Sequence, residues 1–147
     1  MRRILPPIWL ITAILLMTFL HLFFPLFMVF PPPMNLCGLV FGVAGLFIFG
    51  WAARCILLAK TTIKPFHEST SLITTGPFRV SRNPIYLGMV LVLLGVAIWI
   101  GSLTPLLVVP FFILVIDTVF IRGEQQMLQA TFGEEYTQYC RRVRRWI

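Results

Sequence analysis

Residues 84–121 read PIYLGMVLVLLGVAIWIGSLTPLLVVPFFILVIDTVFI, and this pattern predicts much of the architecture of the chain. Two apolar runs, at 84–100 and 105–121, are separated only by the short uncharged segment 101–104. Runs of this length are near the lower limit for crossing a hydrocarbon core of about 30 Å. The pattern therefore predicts a tight antiparallel helical hairpin in the membrane, either tilted or incompletely spanning.

Two further apolar runs precede the hairpin, at residues 8–30 and 36–59, and predict two N-terminal spans within residues 1–60. In the second run, Gly38 and Gly42 have the small-xxx-small spacing that is typical of closely packed membrane helices. The chain of 147 residues is 59% hydrophobic and only 12% charged, whereas soluble domains carry about 25% charged residues. Because this length allows one domain, the sequence predicts a single all-α integral membrane bundle with about four membrane segments.

The positive charge of the chain is concentrated on one side of the predicted membrane. The twelve basic residues lie towards the two termini and around the polar loop 60–83, whereas the connections 31–35 and 101–104 are uncharged. Basic residues accumulate on the cytoplasmic side of membrane proteins, so both termini are predicted to be cytoplasmic, in a bacterial inner membrane. This distribution indicates the lipid bilayer, rather than nucleic acid, as the partner of the net charge of +7.

The segment that follows the hairpin, residues 122–142, is predicted to form an amphipathic cytoplasmic helix. One stripe at three- and four-residue steps is apolar and aromatic, and it contains Leu128, Phe132, Tyr136, Tyr139 and Val143. Such a helix either lies on the membrane surface or docks on the bundle. Gly133 is the position where this helix is expected to kink or break.

The segment 76–86, Gly-Pro-Phe-Arg-Val-Ser-Arg-Asn-Pro-Ile-Tyr, contains the first candidate site residues. Asn83 is a preferred N-cap residue and Pro84 a preferred first helical residue, so a helix is expected to begin here. The free N–H groups of a helix N-terminus bind anions, and Arg82 adds a positive charge beside them. The alternative interpretation is that Arg82 and Tyr86 are ordinary interfacial anchors.

Two acidic residues near the end of the hairpin are further candidates for chemistry. Glu124 either acts as a base or as a partner of an amine, or it is a solvated charge in the first helical turn. Asp117 is the only acid within a predicted span, and it either has a function or forms a buried hydrogen bond, for example with Arg122. The two histidines and three cysteines lack metal-ligand spacing, so no metal site is predicted and the thiols are expected to be free.

Two motifs on either side of the hairpin resemble those of one known family. Residues 75–78, Thr-Gly-Pro-Phe, and residues 82–86, Arg-Asn-Pro-Ile-Tyr, resemble the TxGPYxxxRxPxY signature of the isoprenylcysteine carboxyl methyltransferases and the related phospholipid methyltransferases. The EExxLxxxFGxxYxxY tail of that family is resembled by Glu124-Gln125-Gln126-Met127-Leu128, Phe132-Gly133, Tyr136 and Tyr139.

The resemblance covers about residues 65–147 and implies that residues 61–147 form a cofactor-binding and catalytic region. The implied cofactor is S-adenosylmethionine, with S-adenosylhomocysteine as product, in a pocket lined by Gly76, Pro77, Arg82, Asn83, Pro84, Tyr86, Glu124 and Gln125. The candidate catalytic residues are Glu124 and Arg122, and the candidate substrate contacts are Asp117, Tyr136 and Tyr139. The chain departs from the family pattern at Gln125, where a second glutamate is usual, and at Asn83, where histidine is common.

The sequence leaves several functions open. The resemblance implies a lipophilic acceptor, either a carboxylate as in isoprenylcysteine or, as the alternative, the amine of a phospholipid or other lipid. A carboxylate needs no base and Arg122 would steer it, whereas an amine must lose a proton, for which Glu124 is the candidate base. Outside this family, the alternatives are an NADPH-dependent membrane reductase and a non-enzymatic four-span transporter or structural protein.

Overall fold

The computed structural model describes residues 5–59 and 71–147, and within these residues it is all-α without strands, as predicted. The α-helices are α1 (Pro6–Phe23), α2 (Cys37–Leu58), α3 (Pro84–Ile100), α4 (Leu103–Ile116) and α5 (Arg122–Arg142). Short 3₁₀ turns at Met34–Leu36 and Gly76–Arg79 precede α2 and α3, and a π turn at Asp117–Ile121 joins α4 to α5. Residues 1–4 and the first part of the predicted polar loop, residues 60–70, lie outside the described residues.

Helix α1 is shorter than the predicted segment 8–30, because it ends at Phe23. Phe24 leaves the helical region, with φ −135° and ψ 54°. The cause is Pro25, since the residue before a proline is disfavoured in the α conformation and proline itself cannot donate a backbone hydrogen bond. The remaining apolar residues, up to Phe30, run back across the end of the bundle without forming a helix.

Among the described residues, three helices are long and apolar enough to cross a membrane, namely Pro6–Phe23, Met34–Leu58 and the continuous helix Leu103–Arg142. Helix α3, Pro84–Ile100, is apolar but shorter, which agrees with a hairpin segment near the lower length limit. Large apolar side chains such as Leu15, Val40 and Phe47 are exposed, as expected of surfaces that face lipid. The chain is therefore an integral membrane helix bundle.

The helix predicted over residues 122–142 is present as α5, and it follows α4 through the π turn without an intervening loop. The helix Leu103–Arg142 has 40 residues, about twice the number that a membrane-spanning helix needs. We take the apolar part up to Ile121 as the membrane-spanning segment, so α5 lies beyond it. The kink predicted at Gly133 is present, with φ 50° and ψ −117°.

Glycines hold α2 and α3 in close backbone contact, as the spacing of small residues predicts. A Cβ atom added to Gly88 would lie 2.7 Å from the carbonyl oxygen of Gly45, and one added to Gly95 would lie 2.6 Å from the backbone nitrogen of Gly42. In a bilayer such packing matters because apolar burial alone does not drive helices together. Helix α1 packs against α3 and α4, and the buried Met17 and Leu93 belong to the apolar core between these helices.

The two ends of the bundle have different structures. At one end, which we call the closed end, the uncharged connections 24–36 and 101–104 bind each other. The Val29 N–H donates to the Gly101 carbonyl over 2.7 Å, and the Leu103 N–H donates to the Phe27 carbonyl over 3.2 Å. The opposite end, which we call the open end, comprises residues 71–83 and 122–147 and contains a cavity.

Candidate active site

A cavity of about 350 Å³ opens at the open end. Its walls come from the start of α1, the C-terminal half of α2, the segment 71–83, the start of α3, and both halves of α5. Most of the lining is apolar, and the polar side chains in it are Ser71, Arg82, Asn83, Tyr86, Glu124, Gln125, Tyr136 and Tyr139. The volume is that of a small-molecule site, and apolar walls with few polar groups are typical of such sites.

A hydrogen bond between Tyr86 and Glu124 joins the two predicted clusters directly. The Tyr86 hydroxyl on α3 donates to Oε1 of Glu124 on α5 over 2.7 Å, although the two residues are 38 positions apart. Glu124 lies three residues beyond the membrane-spanning segment, and burial raises the pKa of its carboxyl to about 7, an effect that the Tyr86 hydrogen bond partly opposes. A carboxyl group with this pKa is half ionised near neutral pH, so it can both accept and release a proton.

Helix α3 begins at Pro84, as predicted, but the Asn83 side chain does not cap it. The Asn83 carbonyl accepts the first helical hydrogen bond, from the Leu87 N–H at 3.0 Å. Its side-chain Nδ2 donates instead to the Arg145 carbonyl over 2.9 Å, and its own N–H donates to Ser81 Oγ over 3.1 Å. Asn83 therefore ties the cavity wall to the C-terminal segment.

Arg82 lines the cavity and also binds the C-terminal part of the chain. Its backbone N–H donates to the Arg144 carbonyl over 3.0 Å, and its Nη1 donates to Cys140 Sγ over 2.6 Å. Its Nε is buried and has no hydrogen-bond partner within the part of the chain that the structure describes. A buried donor without a partner is expensive unless a ligand or water completes it.

The side-chain amide of Gln125 has one polar atom with a hydrogen-bond partner and one without. Its Oε1 accepts from Arg145 Nη2 over 2.9 Å, whereas its Nε2 is buried and has no partner among the residues described. The neighbouring Glu124 points to Tyr86. The start of α5 therefore holds one paired acceptor and one unpaired donor in residues that line the same cavity.

Tyr136 and Tyr139 line the cavity from the second half of α5 and pack with Val143 and Leu72 in a small apolar cluster. The Tyr139 hydroxyl donates to the Phe78 carbonyl over 2.7 Å, which docks α5 on the bundle. Burial raises the pKa of Tyr136 to about 12, and burial beside Tyr136 raises the pKa of Tyr139 as well. Both phenols are therefore neutral donors at physiological pH.

Four predicted site residues do not line this cavity. Gly76 and Pro77 lie behind Phe78, which does line it, and Gly76 with φ 60° fits closely against Trp51 and Cys55. Arg122 and Asp117 form an ion pair, with 3.2 Å between Arg122 Nε and Asp117 Oδ2, and the Arg122 side chain is 63% exposed. The structure therefore brings the other predicted residues together but places Arg122 and Asp117 outside the cavity.

Arg145 is a residue that the sequence interpretation missed. Its Nη1 lies 3.1 Å from Asp117 Oδ1 and its Nη2 reaches Gln125, while its carbonyl accepts from Asn83 and, over 3.3 Å, from Ser81 Oγ. In the sequence it is one of several arginines in the basic C-terminal segment, so its type and position contain no signal that separates it from them. Within residues 5–59 and 71–147 no group of three metal-ligating side chains is present.

The fold is that of an integral membrane helix bundle with a cavity at its open end. The chain belongs to the phospholipid methyltransferase family, whose model matches residues 34–135, which include Arg82, Tyr86, Glu124 and Gln125. The family is one of the isoprenylcysteine carboxyl methyltransferase-like membrane methyltransferases, so the resemblance found in the sequence is confirmed.

One curated relative is an uncharacterized protein of Haemophilus influenzae. It is 41% identical to this chain over 63 residues, which are 43% of this chain and the whole of the relative. No solved structure matches the chain significantly.

Proposed function

We propose that this protein uses S-adenosylmethionine to methylate a lipophilic acceptor at the cytoplasmic face of the membrane. The observation that supports this most directly is the shared cavity: the Arg82–Tyr86 turn and Glu124 line one space, and the Tyr86 hydroxyl bonds the Glu124 carboxyl over 2.7 Å. Both segments lie within the region that matches a methyltransferase family.

The residues of the cavity fit this cofactor. S-adenosylmethionine supplies an electrophilic methyl group on a sulfonium, and it also has an amino group, a carboxylate and an adenine ring. Glu124 would hold positive charge, the unpaired Arg82 Nε and Gln125 Nε2 would donate to negative or neutral acceptors, and Tyr136 and Tyr139 offer aromatic surface. A cavity of about 350 Å³ is within the usual range for small-molecule sites.

The apolar walls support a lipophilic acceptor. Pro6 and Pro7 from α1 face Phe49, Ala53 and Ile56 from α2 across the same cavity. These walls belong to two helices that cross the bilayer, so an acyl or prenyl chain would lie against them at the level of the lipid. The polar headgroup would then reach the start of α5.

The position of Glu124 favours an amine as the acceptor group. An ammonium must lose a proton before its nitrogen can attack a methyl group, and a base whose pKa is near 7 suits this step. Arg122, the residue predicted to steer a carboxylate, is turned away from the cavity towards Asp117. A carboxylate acceptor remains the second candidate, supported by the unpaired Nε of Arg82.

The charge distribution supports a cytoplasmic open end. The exposed Arg79, Arg141, Arg142 and Arg144 lie at this end, whereas the connections 24–36 and 101–104 of the closed end contain no charged residue. Basic residues mark the cytoplasmic side of membrane proteins. S-adenosylmethionine made in the cytoplasm would have direct access to a cavity on this side.

The test is to incubate the purified protein in lipid nanodiscs with methyl-labelled S-adenosylmethionine and a total lipid extract, and to identify the labelled product. We expect a labelled lipid, whose label is stable to mild base if the acceptor is an amine and is released as methanol if it is a carboxylate. Binding of S-adenosylhomocysteine by calorimetry should be lost in Arg82→Ala and retained in Arg79→Ala, an exposed neighbour. Absence of both a labelled lipid and cofactor binding would refute the proposal.

A further inference from the structure

The Gln125 side chain is held in one orientation by Arg145. Nη2 of Arg145 donates to Gln125 Oε1 over 2.9 Å. The flipped amide would place its NH₂ against the guanidinium, donor against donor, so the assignment of oxygen and nitrogen is forced. As a result, Nε2 of Gln125 is directed away from Arg145, buried, and without a hydrogen-bond partner among the residues described.

Arg145 itself forms several contacts, although its side chain is 40% exposed. Its Nη1 donates to Asp117 Oδ1 over 3.1 Å, at the start of the π turn. Its carbonyl accepts from Asn83 Nδ2 over 2.9 Å and from Ser81 Oγ over 3.3 Å. The next residue, Trp146, packs against the main apolar core. The guanidinium therefore forms a fixed bridge between the π turn and Gln125, with the backbone bound to the opposite cavity wall.

We infer that Arg145 is a positioning residue that makes Gln125 a hydrogen-bond donor to an oxyanion of the ligand. Gln125 lines the same cavity as Arg82 and Ser71, whose Nε and Oγ are the other buried polar atoms without a partner in the described residues. The two N–H groups can only donate, so they favour an acceptor group, and the charge of Arg82 favours a negative one. The inference rests on the proposed function, because it concerns part of the same ligand site.

The oxyanion could come from the carboxylate of the cofactor or from the acceptor lipid, and matched ligand pairs distinguish these two sources. The first pair is S-adenosylhomocysteine and its decarboxylated analogue, which keeps the amine. The second pair is oleate and oleyl alcohol, which differ in the oxyanion but share the chain. Dissociation constants for all four are measured on the whole protein, by calorimetry in neutral-lipid nanodiscs for the first pair and by equilibrium dialysis in detergent for the second.

Gln125→Glu is the central variant, since it keeps a partner for Arg145 but replaces the donor NH₂ with an acceptor. We expect it to weaken binding of the oxyanion member of one pair about tenfold or more, as for a hydrogen bond to a charged group, and binding of the neutral member less than twofold. Arg145→Ala should give a smaller loss with the same selectivity. The double variant should lose no more than Gln125→Glu alone, because both changes act through one group.

Arg144→Ala is the matched control, because its side chain is exposed and the backbone hydrogen bond from Arg82 is retained. It should leave all four constants within twofold of the wild type. Equal losses for both members of each pair, or unchanged affinities in Gln125→Glu, would overturn the inference and leave Arg145 with a structural role. Failure of the wild type to bind S-adenosylhomocysteine would instead count against the proposed function, and the lipid pair would still decide the role of Gln125.

Discussion

The closed and open ends of the bundle differ in how their buried polar groups are satisfied. At the closed end, Ser102 is fully buried and hydrogen-bonded to His21 Nδ1 over 2.8 Å, and Thr104 Oγ1 donates to the Phe24 carbonyl over 3.1 Å. At the open end, Ser71 Oγ, Arg82 Nε and Gln125 Nε2 are buried without a partner in the described part of the chain. Both ends contain buried polar residues, but among the described residues only the open end leaves such side-chain atoms unpaired.

This difference separates stability from binding. Unpaired buried donors cost free energy, so a native protein keeps them where a ligand, water or ion completes them. The closed end holds two uncharged connections together and has no such donors among the residues described. Substitutions at the open end should therefore change ligand affinity and the rate of methyl transfer. Substitutions at the closed end should change the free energy of unfolding.

The largest effect is expected for Glu124→Gln, which keeps the shape of the side chain but removes the base. We expect the rate of methyl transfer to an amine acceptor to fall at least about a hundredfold, as is typical for loss of a general base, while the protein stays folded. The assay is transfer of labelled methyl groups under saturating cofactor. Glu134→Gln on the same helix is the control, since Glu134 is exposed; comparable losses in both variants would show that the effect is not local.

The next effect concerns the closed end alone. Gly101 ends α3 in the left-handed conformation with φ 84°, and an added Cβ would lie 2.6 Å from the Phe30 carbonyl oxygen. Gly101→Ala should lower the free energy of unfolding by about 1–3 kcal/mol. Ligand affinity of the folded fraction should be unchanged, as measured by thermal unfolding and calorimetry in nanodiscs.

Gly50→Ala is the matched control for this variant, because an added Cβ at Gly50 meets no atom within 4 Å. It should be neutral or slightly stabilising, since alanine is the better helix former. A Gly101→Ala protein with wild-type stability and weakened binding would contradict the separation of the two ends.

The pH dependence of the open end follows from Glu124, whose pKa is raised to about 7 by burial. A raised carboxyl pKa means that the base form appears as the pH rises through 7 and disappears below it. Between pH 6 and 8 the ionised fraction should increase about tenfold. The ratio of kcat/KM between the wild type and Glu124→Gln should rise by the same factor, and a ratio that is flat over this range would exclude Glu124 as the base.

The smallest effect is expected for Ser102→Ala at the closed end. The change leaves His21 Nδ1 without its hydrogen bond, so we expect a loss of about 1 kcal/mol in the free energy of unfolding. Methyl transfer should be unaffected. Thr12→Ala serves as the control, since its exposed hydroxyl bonds only the carbonyl one turn earlier in its own helix. A Ser102→Ala protein with wild-type stability but slower methyl transfer would show that the closed end influences the site at the open end.

Much of the fold could be predicted because it follows from local patterns. The apolar runs, the proline at the start of α3 and the aromatic stripe of α5 each depend on a few neighbouring residues. Pro25 is a local signal for the early end of α1, but the long apolar run beyond it favoured a longer helix. The continuity of α4 and α5 could not be predicted from the sequence, since a π turn has no reliable local signature.

The site was predicted in part. The family motifs identify Arg82, Tyr86, Glu124 and Gln125, and the structure places these side chains in one cavity. The same reasoning proposed Arg122, which is charged and lies two residues before Glu124, yet its side chain turns outward to Asp117. Positions two residues apart on a helix face different directions, so closeness in sequence does not imply a shared site.

The sequence alone determines that this chain lies in a membrane, that its helices alternate across it, and that its basic residues collect at one end, because hydropathy and charge act residue by residue. The tertiary structure decides which polar atoms meet. Tyr86 is hydrogen-bonded to Glu124, 38 positions away, and Arg145 is hydrogen-bonded to Gln125, 20 positions earlier in the chain. Such pairs depend on the distances and directions that packing sets, which no local property of either residue specifies.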